Sequence, residues 1–132
     1  MARILLIDDD AQLRELVAML LTTVGHVVTT ASEGEEGVRL FRANPVDLVI
    51  TDIVMPNQEG IETIMKLRAE FPGLGIIAMS GGANFSSTWL RMASKLGASR
   101  TLPKPFTIPQ LTAAVDEVLA TQRELQPSAV AR

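Results

Sequence analysis

Three consecutive acids, Asp8, Asp9 and Asp10, follow the apolar run Ile4-Leu-Leu-Ile7, and Asp52 closes a second run, Asp47-Leu-Val-Ile-Thr51. In an open parallel sheet the functional crevice lies beyond the carboxyl ends of the strands, where the strand order reverses. Asp8, Asp9 and Asp52 are therefore expected to meet there. Carboxylates crowded together raise one another's free energy unless a proton or a cation intervenes, and hard divalent ions take oxygen ligands. The chemistry these acids ask for is magnesium binding, with Mn2+ as an admissible substitute. Lys104, held between Pro103 and Pro105, is a cation placed to reach the same crevice, and Ser80 offers a hydroxyl that Gly81-Gly82 leaves uncrowded. Asp10 directly precedes a helical segment, so its role is read as an N-cap that accepts backbone N–H groups.

The elements that must position these groups are short apolar or β-branched runs at residues 4–7, 27–30, 48–51 and 76–79, with a weaker fifth near 100–102. Segments of helical spacing separate them. Leu13, Leu16, Val17, Leu20, Leu21 and Val24 mark one face of a first helix stopped by Gly25, and Ile61, Ile64, Met65 and Leu67 mark a third that ends before Pro72. Val38 and Phe41 with Leu40 suggest the second, Trp89, Met92, Ala93 and Leu96 mark a fourth closed by Gly97, and Leu111, Val115, Val118 and Leu119 a fifth. Strands alternating with such helices imply right-handed crossovers and a parallel sheet covered on both faces. The expected class is α/β, a flavodoxin-like three-layer α/β/α sandwich. The first, third and fourth strands are apolar throughout and suit the centre, which gives the order 2-1-3-4-5.

With 132 residues, 47% hydrophobic and 20% charged, the chain fits one domain over residues 1–121, followed by a flexible tail at 122–132 poor in packing residues. The net charge of −3 and the scattered Lys and Arg offer no stripe to neutralise nucleic-acid phosphates. No apolar run is long enough for a membrane span, and the absence of cysteine suits a reducing cytoplasm. His26, the single histidine, follows Gly25 with no acid near it in sequence and is read as a solvated strand-edge residue.

Taken together, Ile4-Leu-Leu-Ile-Asp-Asp-Asp10, Asp52-Ile-Val-Met-Pro56 with Gly60, Met79-Ser-Gly81 and Lys104-Pro-Phe106 resemble the response-regulator receiver domain of two-component signalling, over roughly residues 3–121. The resemblance implies that Asp52 is the phosphoacceptor. It implies that Asp9, Asp8 directly or through water, Asp52 and the backbone carbonyl of Val54 hold Mg2+, and that Ser80 and Lys104 recognise the phosphoryl group. It also implies a cis bond after Lys104. The phosphoryl donor would be a histidine kinase or histidine phosphotransferase, and the added charge would alter partner binding through the face of helix 4, strand 5 and helix 5. On this reading the chain is a stand-alone cytoplasmic phosphoprotein, monomeric or a weak phosphorylation-dependent dimer, and not a turnover enzyme.

Where the family often carries Tyr or Phe, three residues before the lysine, this chain has Thr101, and it has no tyrosine at all. The familiar aromatic switch is therefore in question, with Phe85 and Trp89 as candidate substitutes or as helix packing. Three other readings compete. A receiver acting constitutively through protein contacts would not need Asp52. An aspartate-nucleophile phosphohydrolase would need a second acid two residues after the nucleophile, where Val54 stands. An FMN carrier of the same sheet order would need hydroxyl and glycine donors where the three acids stand.

Overall fold

The computed structural model describes residues 1–53, 59–80 and 86–125, and along them strands and helices alternate. In chain order these are β1 (Arg3–Ile7), α1 (Ala11–Thr23), β2 (Val27–Ala31), α2 (Gly34–Ala43) and β3 (Leu48–Asp52). There follow α3 (Glu59–Glu70), β4 (Gly75–Ser80), α4 (Ser86–Leu96), β5 (Arg100–Pro103) and α5 (Ile108–Leu125). All strand pairs are parallel and the order is β2-β1-β3-β4-β5, as the apolar pattern predicts. Every residue of β3 and β4 is buried, whereas β2 and β5 are partly exposed at the edges.

Because successive strand residues face opposite ways, the sheet feeds two separate cores. Leu5, Ile7, Val49 and Ile76 pack with Phe41, Ile64, Leu67 and Ala93 under α2, α3 and α4. Ile4, Leu6, Ile50 and Ile77 pack with Val17, Leu21, Leu111 and Val115 under α1 and α5. Each such aliphatic side chain contributes about 1.5–3 kcal/mol by leaving water, so the central strands are the rigid part of the molecule and their ends are fixed in space.

Helix ends follow the local chemistry of the sequence. Asp10 caps α1, its side chain accepting from the N–H groups of Gln12 and Leu13. Gly25 (φ 101°) and Gly97 (φ 135°) occupy the left-handed region that terminates α1 and α4. Two expectations differ from what is observed. Leu16 is 47% and Val24 54% exposed, because only the central residues Val17 and Leu21 of α1 are buried and the apolar face is wider than that contact. α5 runs to Leu125 rather than giving way to a tail at residue 122, and the side chain of Gln122 donates to the Gly73 carbonyl oxygen at 3.0 Å, tying this last stretch to the loop before β4. Residues 126–132 of the expected tail lie outside the described residues.

Gly60 determines how closely α3 approaches the exit of β3. A Cβ there would overlap the Asp52 carbonyl oxygen and Ile53 Cα, and would stand 2.8 Å from the Ile53 carbonyl carbon. Backbone cannot step aside as a side chain can. Gly60→Ala is expected to lower stability by about 1–3 kcal/mol, read as a lower urea midpoint with an unchanged slope.

Candidate functional site

Four strand ends converge at one edge of the sheet. Asp8 directly follows β1, Asp52 is the last residue of β3, Ser80 the last of β4, and Lys104 directly follows β5. Backbone pairing continues past the strands and holds this edge in register: Asp8 N–H donates to Ala31 O (3.1 Å), Ile53 N–H to Met79 O (2.9 Å) and Lys104 N–H to Ser80 O (2.7 Å). β1 lies between β2 and β3, so the chain leaves it in opposite directions on its two sides. Asp8 and Asp52 flank that switch point, where ligands of such sheets bind.

The carboxylates meet as the sequence predicts. One oxygen from each of Asp8, Asp9 and Asp52 lies within 4.8 Å of the others. Asp8 and Asp52 are buried, while Asp9 is exposed and is the open side of the group. Lys104 bridges the two buried acids, its Nζ 2.6 Å from Asp52 Oδ2 and 3.1 Å from Asp8 Oδ2. The Lys104–Pro105 peptide bond is cis, as the resemblance implies.

Burial is the largest single influence on the Lys104 ammonium and by itself lowers its pKa, yet the hydrogen bond and charge of Asp52, with those of Asp8, together outweigh it. The net value is raised above the ordinary 10.5, so the ammonium persists throughout the neutral range.

Ser80 completes the edge. Its hydroxyl is fully buried and, among the described residues, has no hydrogen-bond partner. An unsatisfied buried polar atom costs about 1–3 kcal/mol, which is a reason to expect a polar ligand at this place. Thr101, at the position of the family's aromatic residue, is half-buried in β5. Val54, Pro56, Gly81, Gly82, Phe85 and the side chain of Trp89 lie outside the described residues.

A divalent cation fits the donor set. The three acids offer hard carboxylate oxygens within 4.8 Å of one another, the donor type such an ion takes, and together they would hold it.

Residues 4–116 match the family described as the response regulator receiver domain. The chain belongs to that family. It is 36% identical over 118 residues to the DNA-binding transcriptional regulator NtrC of Azospirillum brasilense, covering 89% of this chain and 24% of that protein. It is 34% identical over 119 residues to the transcriptional regulatory protein CpxR of Klebsiella pneumoniae, covering 90% of this chain and 50% of that one. Thus this receiver spans about a quarter to a half of the length of these regulators. A crystal structure of a response regulator receiver domain protein from Clostridium thermocellum superposes with a TM-score of 0.85 at 31% identity, covering 95% of this chain and 99% of that one. No helix among the described residues is long and apolar enough to cross a membrane.

Two features of this receiver are absent from the sequence reading. Arg14 Nη1 donates to the Asp8 carbonyl oxygen at 2.7 Å, and the Asp10 N–H donates to Asp8 Oδ1 at 2.9 Å. A detectable signal existed for the first: helical side chains lean toward the N-terminus, so an arginine four residues after an N-cap folds back over the preceding strand end. His26 is half-buried, and its Nδ1 accepts from the Ala2 N–H at 3.1 Å, so it is a structural acceptor rather than simply solvated.

Two outcomes follow from this geometry. In metal-free protein, Lys104→Met should cost about 2 kcal/mol, somewhat below the toll of breaking a fully buried ion pair because one side of the site is open. A raised lysine pKa stabilises fully below the ordinary value and fades as pH climbs through the raised one. The gap in melting temperature between wild type and Lys104→Met should therefore be constant from pH 7 to 9 and close only above the ordinary 10.5. Asp9→Ala, by contrast, removes a charge that makes no hydrogen bond among the described residues. Without metal it should be as stable as wild type or more so, by up to about 1 kcal/mol, and it should lose any rise in melting temperature on adding magnesium.

Proposed function

We propose that this receiver accepts a phosphoryl group on Asp52 from a phosphohistidine of a kinase or phosphotransferase, with Mg2+ held by Asp8, Asp9, Asp52 and the Val54 carbonyl. The observation that carries this reading is the pairing of a lysine-bridged, buried Asp52 with a buried hydroxyl at the neighbouring strand end that has no partner among the described residues. An Asp52 oxygen attacks phosphorus in line, the P–N bond of the donor breaks, and its electron pair returns to the imidazole, which is protonated. Since the transition state is loose and its charge sits on the equatorial oxygens, the site has chiefly to position and neutralise. Magnesium, when bound, supplies charge neutralisation at those oxygens.

Lys104 is already within 2.6 Å of Asp52 Oδ2 and can follow the new negative charge onto a phosphoryl oxygen. The Ser80 hydroxyl, without a partner among the described residues, gains a phosphoryl oxygen as acceptor. Both changes draw the ends of β4 and β5 toward the modified Asp52, and we read the face of α4, β5 and α5 as the surface whose partner binding then changes. With Thr101 in place of an aromatic residue, that response runs without a tyrosine or phenylalanine rotamer at this position.

Incubation with acetyl phosphate and magnesium should add one phosphoryl group to wild type and none to Asp52→Ala by intact mass, with peptide mapping locating it on residue 52. Label on any other residue, or none from any phosphohistidine donor, would overturn the proposal. Undiminished partner binding by Asp52→Asn would favour constitutive action instead.

A further inference from the structure

Asp9 is the exposed member of the acidic trio, and its carboxylate accepts no hydrogen bond among the described residues. The backbone of residues 8–10 sets the direction in which its Cα–Cβ bond leaves the chain. Besides the opening α1 bond from Arg14 N–H to Asp10 O (2.9 Å), that backbone is held by Asp8 N–H on Ala31 O (3.1 Å), Asp10 N–H on Asp8 Oδ1 (2.9 Å) and Arg14 Nη1 on Asp8 O (2.7 Å). Of the last three, the first continues the sheet and the second is a local turn bond. The third is different, because it reaches back from the first turn of α1 to the carbonyl that begins the 8–9 peptide.

The choice of acceptor is informative. Arg14 is half-buried, and among the described residues its side chain forms no salt bridge and donates instead to a peptide oxygen. The carboxylates are left free of it. A charge-assisted bond to a carbonyl fixes the plane of the peptide that follows, and the 8–9 peptide carries Asp9.

We infer that Arg14 is a positioning residue for cation binding, acting through the Asp8 carbonyl to pre-set the Asp9 carboxylate. The inference rests on the reading of Asp8, Asp9 and Asp52 as a magnesium site. Charge and geometry act with opposite signs here. A nearby guanidinium repels a dication, so if only its charge mattered, removing it would tighten binding; if its hydrogen bond orders a ligand, removing it loosens binding.

The test is the dissociation constant for Mg2+ alone, measured by calorimetry on the full chain, together with the metal-free melting temperature. Arg14→Met should weaken binding by about tenfold, in the range found for groups that orient metal ligands. Arg14→Lys, which keeps a donor of similar reach, should recover most of the affinity. Arg14→Gln supplies the same comparison in a polar side chain should Arg14→Met fail to fold. Unchanged or tighter binding in the variant that removes the arginine overturns the inference, as does a lower melting temperature with no change in affinity. Absence of magnesium binding by wild type overturns the phosphoacceptor reading as well, whereas wild-type binding that ignores Arg14 overturns this inference alone.

Discussion

Two carboxylates, Asp8 and Asp52, are buried side by side, and the ammonium of Lys104 lies between them. Two carboxylates held side by side at this depth repel one another and have lost water, and the lysine between them offsets part of that cost. One cation is built into the fold and a second is invited by the outward-facing Asp9. This arrangement is stable enough to persist and unbalanced enough to be used: the trio of acids exceeds the single lysine, so any added cation lowers its energy. A newly introduced anionic group would find Lys104 already in place.

The sheet is what makes such crowding possible. The carboxylates and the lysine come from β1, β3 and the end of β5, far apart in sequence, and unsupported charges would swing away from one another. Here each is attached to the end of a strand anchored in the apolar cores, through Ile4–Ile7 in β1, Leu48–Ile50 in β3 and Leu102 in β5. Moving Asp52 outward would drag Ile50 and Val49 with it, and the burial of those side chains outweighs the repulsion of one carboxylate pair. Gly60 adds a local constraint, because only a residue without Cβ lets α3 pass so close to the Asp52 carbonyl.

Polar groups at the two ends of the sheet divide into two kinds. Some are satisfied within the chain and hold the frame, as Asp10 does at the start of α1 and Arg68 does where its guanidinium reaches Pro72 O, Gly97 O and Ser99 Oγ. Burial lowers the Arg68 pKa, and the carbonyls at the ends of α3 and α4 take the place of a carboxylate partner. Others are left with capacity to spare, as at the Ser80 hydroxyl and the Asp9 carboxylate. Frame groups confer stability, and the groups with spare capacity face the chemistry.

Much of this was legible in the sequence, and the reason is that period and position carry the information. Five apolar runs alternating with helical spacing specify the parallel sandwich, and the polar edge runs 27–30 and 100–102 specify the strand order. Acids directly after a strand fall at its carboxyl end, so Asp8 and Asp52 were bound to meet, and Asp10 before a helix was bound to cap it. What only the folded chain decided depends on contacts between elements remote in sequence or on how wide a helix contact is. Leu16 and Val24 share the apolar face of α1 yet stay exposed, because the sheet covers only its centre. That Lys104 touches Asp8 as well as Asp52, that Arg14 holds the Asp8 carbonyl, and that the Ser80 hydroxyl lacks a partner among the described residues are properties of side-chain reach and direction. Sequence spacing fixes which strand end a residue occupies, while packing fixes what its last two or three atoms find there.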